Sequence, residues 1–295
     1  MNPVDPLLAA RQVKHALFVA NKRRRRAQRS ALFSAATVAG RWHARWHPYE
    51  FDPARYRRSF VARDAPATAA ATAVPGPVRR RVFVLWLGEN PMTPRRRENL
   101  AVLRERIGVP VDLVTAQNLH EWVVPEHPLH PAYENLSLIH RSDYLRAYLM
   151  HHHGGGYCDL KAPTGSWGSA FTRVGQDPRA WLAGYPELSA GQVTRLPGQL
   201  GKDLALYHSR LVGMGAFIAH AATPLTAEWL REVERRLDYY ADQAAEFPGE
   251  QRGEVVGYPV SWTRLLGGVL HPLQLKHLEH VRQDPELRLD LGDYQ

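Results

Sequence analysis

Residues 140–161 read HRSDYLRAYLMHHHGGGYCDLK, and this stretch decides the fold. Apolar residues recur at helical spacing from Leu138 to His153, and the glycine triplet 154–156 ends that helix. Glycine lets the chain reverse sharply, and the run Tyr157–Leu160 that follows predicts a strand. A helix that leads directly into a strand is typical of an α/β domain.

The sequence upstream supplies the preceding β-α-β unit. A continuous apolar run from Arg81 to Gly88 predicts a strand that is buried on both faces. A helical pattern over Arg95–Ile107 and a second strand over Val109–Val114 follow at crossover lengths near the minimum. Further predicted elements are a short helix at Asn118–Trp122, a strand at Gly215–Ala219 and a helix at Thr226–Ala241. This order predicts an α/β domain with a mainly parallel sheet.

The positive charge of the chain is concentrated in its first quarter. The formal net charge is +9, and residues 1–74 carry 14 Lys and Arg against 4 Asp and Glu, while the remainder carries 24 against 25. The run 65–77 is uncharged and rich in Ala, Thr and Pro, which is linker chemistry. We predict a basic, partly helical N-terminal arm over residues 1–64, a linker over 65–78 and a single domain over 79–295.

The arm has the composition of a segment that binds anionic surfaces. Residues Pro6–Lys22 have a moderately amphipathic helical spacing and run into the basic cluster Lys22–Arg26 with Arg29. An amphipathic helix with a basic flank suits an anionic lipid leaflet. A nucleic-acid contact, a protein partner and a solvated arm are the alternatives. We expect residues 1–60 to contact an anionic membrane surface, and no specific nucleic-acid partner, because the domain itself is nearly neutral.

Cysteine content and hydropathy indicate the compartment. The single cysteine, Cys158, excludes an intramolecular disulfide framework and fits a reducing environment. No apolar run reaches the roughly 18 residues that span a bilayer, and the short apolar stretches near the N-terminus do not have the pattern of a cleavable signal. We therefore expect a cytoplasmic protein, peripheral at the inner face of the membrane.

Four charged residues of the deciding stretch form the candidate site. Asp143 and Arg146 lie three residues apart and so share a helix face. Asp159 and Lys161 point the same way at a strand's C-terminal end, where open α/β sheets bind ligands. Taken singly, the first pair is also explained as a surface ion pair and the second as a structural feature, and the glycines as a helix stop. Their joint order favours a site for a diphosphate or a metal–diphosphate group.

Three features together resemble the signature of DXD-containing nucleotide-sugar glycosyltransferases. They are the segment Ser142–Arg146, the helix that leads to the glycines and Tyr157, and then Asp159. That family includes capsular-polysaccharide transferases and relatives of the fungal initiating mannosyltransferase. The first strand, with Trp86, is similar to the strand before the family's nucleotide pocket. The resemblance covers about Val82–Leu275 and implies a GT-A-type, Rossmann-like fold.

The resemblance also implies roles for individual residues. The donor would be bound by Trp86, Gly88, Asp143, Arg146, Gly155, Gly156 and Tyr157. Asp159 would open the DXD motif, which binds a divalent cation and the donor. Asp159, Lys161 and Arg146 are the catalytic candidates.

The sequence departs from the family pattern at Lys161, which stands where the motif has its second aspartate. An ammonium group cannot coordinate Mn²⁺ or Mg²⁺, which take oxygen ligands. Either Asp159 holds the cation with the diphosphate and a residue such as His271 or Asp143, or Lys161 itself neutralises the leaving diphosphate and makes the metal dispensable. The sequence leaves metal dependence open.

The remaining candidates each have two interpretations. Glu187 is a candidate acceptor-side base or a surface-loop carboxylate, and His271 is a candidate metal ligand or a core histidine. Trp86 and Trp262 are candidates for stacking on a base or sugar, or for packing. The run His151–His153 is excluded as a metal site, because consecutive helical residues point about 100° apart.

Together these residues predict transfer of a sugar from a nucleotide diphosphate-sugar donor to a glycan or glycolipid acceptor, in polysaccharide or cell-envelope biosynthesis. One alternative is a nucleotidyl- or phosphosugar-transferase on a similar fold, but its Gly-rich phosphate loop is poorly represented by Leu87–Asn90. The other is a basic nucleic-acid-binding protein with a catalytically silent domain.

Overall fold

The computed structural model describes residues 34–63, 78–253 and 255–290, together with residues 21, 24, 28 and 32. Of the predicted helix Pro6–Lys22 only Asn21 is described, of the basic cluster only Arg24, and of the predicted linker only Val78. The other residues of these three segments lie outside the described part of the chain. Residues 34–46 are the described part of a first helix, α1.

Six strands among these residues form one mixed sheet: β1 (Val82–Trp86), β2 (Val111–Thr115), β3 (Gly155–Cys158), β4 (Leu182–Pro186), β5 (Val212–Ala219) and β6 (Val281–Gln283). Their order across the sheet is β2-β1-β3-β5-β4-β6. β1 pairs in parallel with β2 and β3, and β4 with β6, whereas β5 runs antiparallel to β3 and β4. The sheet is therefore mainly parallel, with β5 reversed.

Helices pack on both faces of the sheet: α2 (Pro94–Arg106), α3 (Leu138–His152), α4 (Gly168–Gln176), α5 (Gly198–Leu206), α6 (Pro224–Glu246) and α7 (Gly267–Lys276). Successive residues of β1 point to opposite faces. Phe83 joins a core cluster with residues of α3, α6 and α7, whereas Val82 and Val84 join a second cluster with residues of α2 and α4. The sheet is thus the middle layer of an α/β domain. Among the described helices, none is both long enough and apolar enough to cross a bilayer.

The deciding stretch folds close to prediction, with one shift. β3 begins at Gly155, two residues before the expected start, and ends at Cys158. Gly155 has a φ of +95°, and a Cβ there would lie 3.0 Å from the carbonyl oxygen of Arg81. Only glycine therefore lets β3 approach β1 this closely. As a consequence, Asp159 lies just beyond the end of the strand.

Several elements are not predicted by the sequence pattern, and one differs in type. β4 is interrupted by Gly184 and Pro186, β6 has only three residues, and α7 contains Pro272. These features remove the periodicity on which prediction depends. α4 and α5 are also missed. The predicted helix at Asn118–Trp122 is a 3-10 helix, Leu119–Trp122.

Residues 34–63, part of the predicted arm, pack against the domain. Ala44, Tyr56 and Val61 are buried in the core cluster that contains α3 and α6. Arg55 Nη2 lies 3.0 Å from both carboxylate oxygens of Asp203 on α5, and the Tyr56 hydroxyl donates to Asp203 Oδ2 at 2.7 Å. A buried carboxylate and apolar burial therefore anchor this segment.

Candidate active site

Two adjoining compartments form a cleft where β1 and β3 end and α3 begins. The polar compartment, about 320 Å³, lies between α3, the loop after β3, β5 and the residues before α7. The apolar compartment, about 210 Å³, lies between the end of β1 and the first turns of α3. Ile139 and Arg146 line both, so the two form one cleft. It lies at the strand C-terminal edge, where open α/β sheets bind ligands.

Asp159 is the centre of the polar compartment. Its Oδ1 accepts hydrogen bonds from the Tyr157 hydroxyl at 2.9 Å and from Arg146 Nη2 at 3.3 Å. Its Oδ2 lies 3.8 Å from Lys161 Nζ. The backbone N–H of Asp159 donates to the Gly215 carbonyl at 2.7 Å, which extends the contact between the chain and β5 past the end of β3. The structure thus brings together the three residues that the sequence analysis names as catalytic.

Arg146 is held on several sides. Its guanidinium lies over the Tyr157 ring, 4.4 Å from the ring centroid, and donates to the Met214 carbonyl at 3.3 Å and to Ser142 Oγ at 3.4 Å. Its Nε is buried without a hydrogen-bond partner among the described residues. A planar cation fixed in this way is ordered before a ligand arrives, which reduces the entropy lost on binding.

Asp143 and Arg146 share a face of α3, but they are not the surface ion pair that the sequence allows. Asp143 is only 3% exposed, and the side chain of Arg146 is 13% exposed. The pKa of Asp143 is raised to about 7, chiefly by burial, while Arg146 opposes the increase and Asp159 contributes to it. Asp143 therefore lines the cleft as a carboxyl group that titrates near neutral pH.

Lys161 lies across Asp159 from Arg146 and is 16% exposed. Burial lowers the pKa of Lys161, the neighbouring Asp159 opposes this, and Arg96 adds to the lowering. Arg96 Nη1 also donates to the Leu160 carbonyl at 2.7 Å and so fixes the turn that carries Lys161. No sequence pattern singles out Arg96, which reaches this turn from α2.

The apolar compartment contains two of the predicted donor-binding residues. Trp86, at the end of β1, lines it and donates through Nε1 to the Asn90 carbonyl at 3.0 Å. Gly88 also lines it, and a Cβ at this position would overlap the Asn90 side chain and touch Leu138. A flat apolar group is the ligand chemistry that such walls favour.

A further wall of the polar compartment comes from β4 and β5. The sequence pattern does not predict β4, whereas it predicts β5 as a strand at Gly215–Ala219 but not as part of the site. Tyr185 lies against Gly213, where a Cβ would overlap the tyrosine ring. A Cβ at Gly215 would lie 3.0 Å from Asp159 Oδ2. Glycine at alternate positions of a strand indicates close approach on one face, and this Gly-Met-Gly pattern is the signal that was available. Trp262 lies exposed at the rim.

Glu187 and His271 are buried neighbours. Glu187 is 6% exposed and lines the polar compartment, so it is not a surface-loop carboxylate. His271 is fully buried, as a core histidine would be. Its Nδ1 accepts the backbone N–H of Thr194 at 3.0 Å, so in the neutral ring Nε2 carries the proton. That Nε2 lies 3.5 Å from Glu187 Oε1.

These contacts bear on the predicted metal. Among the described residues, no group of three or more His, Cys, Asp or Glu side chains could hold a metal ion. His271 faces Glu187 and Thr194, and Asp159 is bounded by two cations. The side chains present therefore do not fit a cation held jointly by Asp159 and His271.

Three predicted donor-binding residues of β3 lie behind the cleft rather than along it. Gly155 and Gly156 lie at the beginning of β3, packed on the backbone of residues 79–81 and on Val82 and Phe171. Tyr157 is buried beneath Arg146. Cys158 ends the strand with its thiol fully buried, and burial raises the pKa of that thiol. The main effect of these residues is to position Asp159.

No protein-family model and no curated protein sequence matches this chain. One similar solved structure is described as PaToxG glycosyltransferase. The match covers 61% of this chain and 68% of the PaToxG chain, at 12% identity and a TM-score of 0.35. A TM-score this low supports no argument about function. The function is therefore inferred from the geometry of the cleft.

Proposed function

We propose that this chain is a GT-A-like glycosyltransferase that moves a sugar from a nucleotide diphosphate-sugar to a glycan or glycolipid acceptor, in polysaccharide or cell-envelope biosynthesis. The observation that carries the proposal is the junction, at Arg146 and Ile139, of a tryptophan-lined apolar compartment with a polar compartment that contains two cations. A nucleoside diphosphate has the same two parts, a flat base and a charged diphosphate.

The proposed reaction places growing negative charge beside those cations. The acceptor hydroxyl oxygen forms a bond to the anomeric carbon, the bond from that carbon to the diphosphate oxygen breaks, and the nucleoside diphosphate leaves with the electron pair. Lys161 and Arg146 stabilise this charge in a partly desolvated cleft, where charge-assisted contacts are strong. Asp159 holds both cations in position before the donor binds.

We propose that Glu187 serves the acceptor side of the cleft. It lines the polar compartment, and its Oε1 lies 3.5 Å from His271 Nε2, a buried atom without a hydrogen-bond partner among the described residues. In this role Glu187 receives the proton that the acceptor hydroxyl loses. Trp262, exposed at the rim, offers an aromatic face for a sugar ring.

The cofactor and location are proposals of the same kind. A divalent cation, Mn²⁺ or Mg²⁺, would supply further positive charge to the diphosphate when bound. Because Lys161 already supplies charge there and the donor set is incomplete, no step of the proposed reaction depends on a metal. We also propose that residues 1–60 hold the enzyme at the inner face of an anionic membrane.

A panel of nucleotide diphosphate-sugars, tested for thermal stabilisation with and without Mn²⁺, examines the proposal. We expect one nucleoside diphosphate and its sugar conjugate to raise the Tm of the wild type, because ligand binding stabilises the folded state. Lys161→Ala should lose most of this shift. Arg104→Ala, which removes an exposed arginine of α2 outside the cleft, should keep it.

Two outcomes would favour the alternatives. Stabilisation by nucleoside triphosphates and sugar phosphates, but not by nucleotide-sugars, would indicate a nucleotidyl- or phosphosugar-transferase. A salt-dependent complex with any oligonucleotide, lost on removal of residues 1–33, which leaves the packed segment 34–63 in place, would indicate a nucleic-acid-binding protein if no nucleotide-sugar bound.

A further inference from the structure

A second cavity among the described residues, about 840 Å³, lies beside the cleft. It lies between residues 54–63 on one side and residues of α5, α6 and the loop before α7 on the other. Eight arginines line it, against one lining carboxylate, Glu232. We call this cavity the arginine groove. No sequence motif reveals it, because its arginines come from separate parts of the chain.

One wall of the groove carries uncompensated charge. Arg55 is paired with Asp203 at 3.0 Å, and Arg63 lies 3.7 Å from Glu232. Arg57 and Arg58 are exposed, and their side chains have no ion pair or hydrogen bond within the described ranges. The wall therefore presents two guanidinium groups that are available to a ligand.

On the facing wall, the carboxylate of Glu232 is contacted by two arginines of its own helix and by Arg63 from the first wall. Arg235 and Arg236 bind Glu232 at 2.7 and 2.8 Å, in addition to Arg63. Arg236 is buried, and burial lowers its pKa; Glu232 opposes this shift, and Arg264 and Arg235 add to the lowering. One carboxylate cannot balance three cations, so this wall also attracts an anion.

The groove adjoins the polar compartment of the cleft. Thr263 lines both cavities. Gly267 and Gly268, consecutive residues at the start of α7, line the cleft and the groove respectively. A ligand with an anionic group in the groove can therefore extend past Thr263 into the compartment that contains Glu187.

We propose that the arginine groove binds a phosphate or diphosphate group of the acceptor, so that the acceptor is a phosphorylated or diphosphate-linked glycan. Guanidinium groups match phosphate oxygens in a bidentate geometry. In the proposed reaction, Lys161 and Arg146 already contact the diphosphate of the donor, so the groove is left for a second anionic group. A concave site selects a discrete anion, whereas a bilayer presents a flat surface. The role as acceptor site rests on the proposed glycosyl transfer, but phosphate binding does not.

The test compares two double variants of the full chain. Arg57→Ala/Arg58→Ala removes the two available guanidinium groups. Arg104→Ala/Arg210→Ala is the matched control, because it removes two exposed arginines that line neither cavity. With each double variant placed in a Lys161→Ala background, which removes a diphosphate contact of the cleft, titration calorimetry with inorganic pyrophosphate should show binding at least about 10-fold weaker for the groove variant, which loses two charge-assisted contacts. The control and Lys161→Ala should keep groove binding.

A kinetic measurement then links the groove to the acceptor. The groove variant should raise KM for the acceptor by about 10-fold and leave hydrolysis of the donor by water unchanged. A short-chain polyprenyl diphosphate and a water-soluble sugar phosphate, each used as a competitor of pyrophosphate, distinguish a lipid-linked acceptor from a soluble one.

Two results would overturn the inference. The first is pyrophosphate binding by the groove variant equal to that of the matched control. The second is unchanged pyrophosphate binding with weaker binding to phosphatidylglycerol vesicles or to an oligonucleotide, which would make the arginines a membrane or nucleic-acid contact. If pyrophosphate binding falls in the groove variant but no nucleotide-sugar binds the wild type, the phosphate site stands and the proposed transferase function fails.

Discussion

The cleft and the arginine groove use positive charge in opposite ways. In the cleft, Arg146 and Lys161 lie 3.3 and 3.8 Å from the same carboxylate, that of Asp159, and both are largely shielded from water. In the groove, Arg57 and Arg58 are exposed and have no acidic partner within the described ranges. The first set is paired with a carboxylate and ordered, whereas the second is unpaired among the described residues.

This difference separates positioning from attraction. Charges that are paired and buried, as in the cleft, contribute through geometry, because they are fixed before the ligand arrives and act at short range. An exposed excess acts over longer distances and is screened by salt. We therefore expect the cleft to determine how the donor reacts and the groove to determine which molecules are drawn to it.

The largest expected effect on sugar transfer comes from removing a member of the paired charges in the cleft. Asp159→Ala removes the carboxylate that holds both cations, and Arg146→Ala removes the cation that contacts Tyr157. Each should reduce sugar transfer by about 10²- to 10³-fold, the range seen when a preorganised charge contact is lost. Circular dichroism should show a retained fold. Turnover near that of the wild type would exclude the substituted residue from the donor site.

Lys161 tests whether the cleft has replaced a metal by a fixed cation. Lys161→Ala should lower turnover by roughly 10- to 100-fold, because a charged contact contributes about 1.5–3 kcal/mol. EDTA should then reduce wild-type activity only modestly, and Lys161→Asp should respond more strongly to Mn²⁺. The opposite pattern, with wild-type activity abolished by EDTA and a fast Lys161→Ala variant, would make the lysine a bystander.

Asp143 is the cleft carboxyl whose charge is least secured. Its pKa is raised to about 7 by burial, so between about pH 4 and pH 7 the folded protein keeps a proton that the unfolded chain has released. The free energy of unfolding should therefore fall as pH rises through this interval. Relative to Asp143→Asn, the wild type should lose about 2 kcal/mol from pH 5 to pH 8 in urea titrations. Parallel pH curves for the two proteins would contradict the shift.

Salt provides the smallest and most direct comparison of the two regions. Between about 50 and about 500 mM NaCl, pyrophosphate binding in the groove should weaken about 10-fold, because its guanidinium groups are exposed. Donor binding in the cleft should weaken only a few-fold, since its cations are partly buried. Calorimetry of each ligand at matched salt concentrations measures both. Equal salt dependence would remove the distinction between the regions.

The sequence predicts the centre of the cleft because local pattern is enough there. The helical spacing of α3 and the glycines after it bring Arg146 close to Asp159. Strand alternation predicts Lys161 on the same side, but the structure places it there by a turn after β3, in which the Lys161 N–H donates to the Asp159 carbonyl at 2.6 Å. Gly155 and Gly156 were assigned to the donor because they accompany the motif. Their position shows a different cause, the close approach of β3 to the backbone around Arg81.

The remaining parts depend on contacts between residues far apart in sequence. Tyr185 reaches the cleft from β4, a strand that the sequence pattern does not predict because Gly184 and Pro186 interrupt it. Arg57 and Arg264 share the groove although about two hundred residues separate them. No periodicity within a short window records such a juxtaposition. Charge counting did find the basic first quarter, but it could not show that residues 34–63 fold onto the domain.

The chain contains a single thiol, and Cys158 places it immediately before Asp159 at the end of a fully buried strand. A thiol reagent can reach this sulfur only when β3 and β5 part. The rate at which the unmodified protein is labelled therefore reports how often the donor site opens, with no engineered probe. A nucleotide-sugar that bridges the cleft should slow labelling, whereas pyrophosphate bound in the groove should leave the labelling rate unchanged.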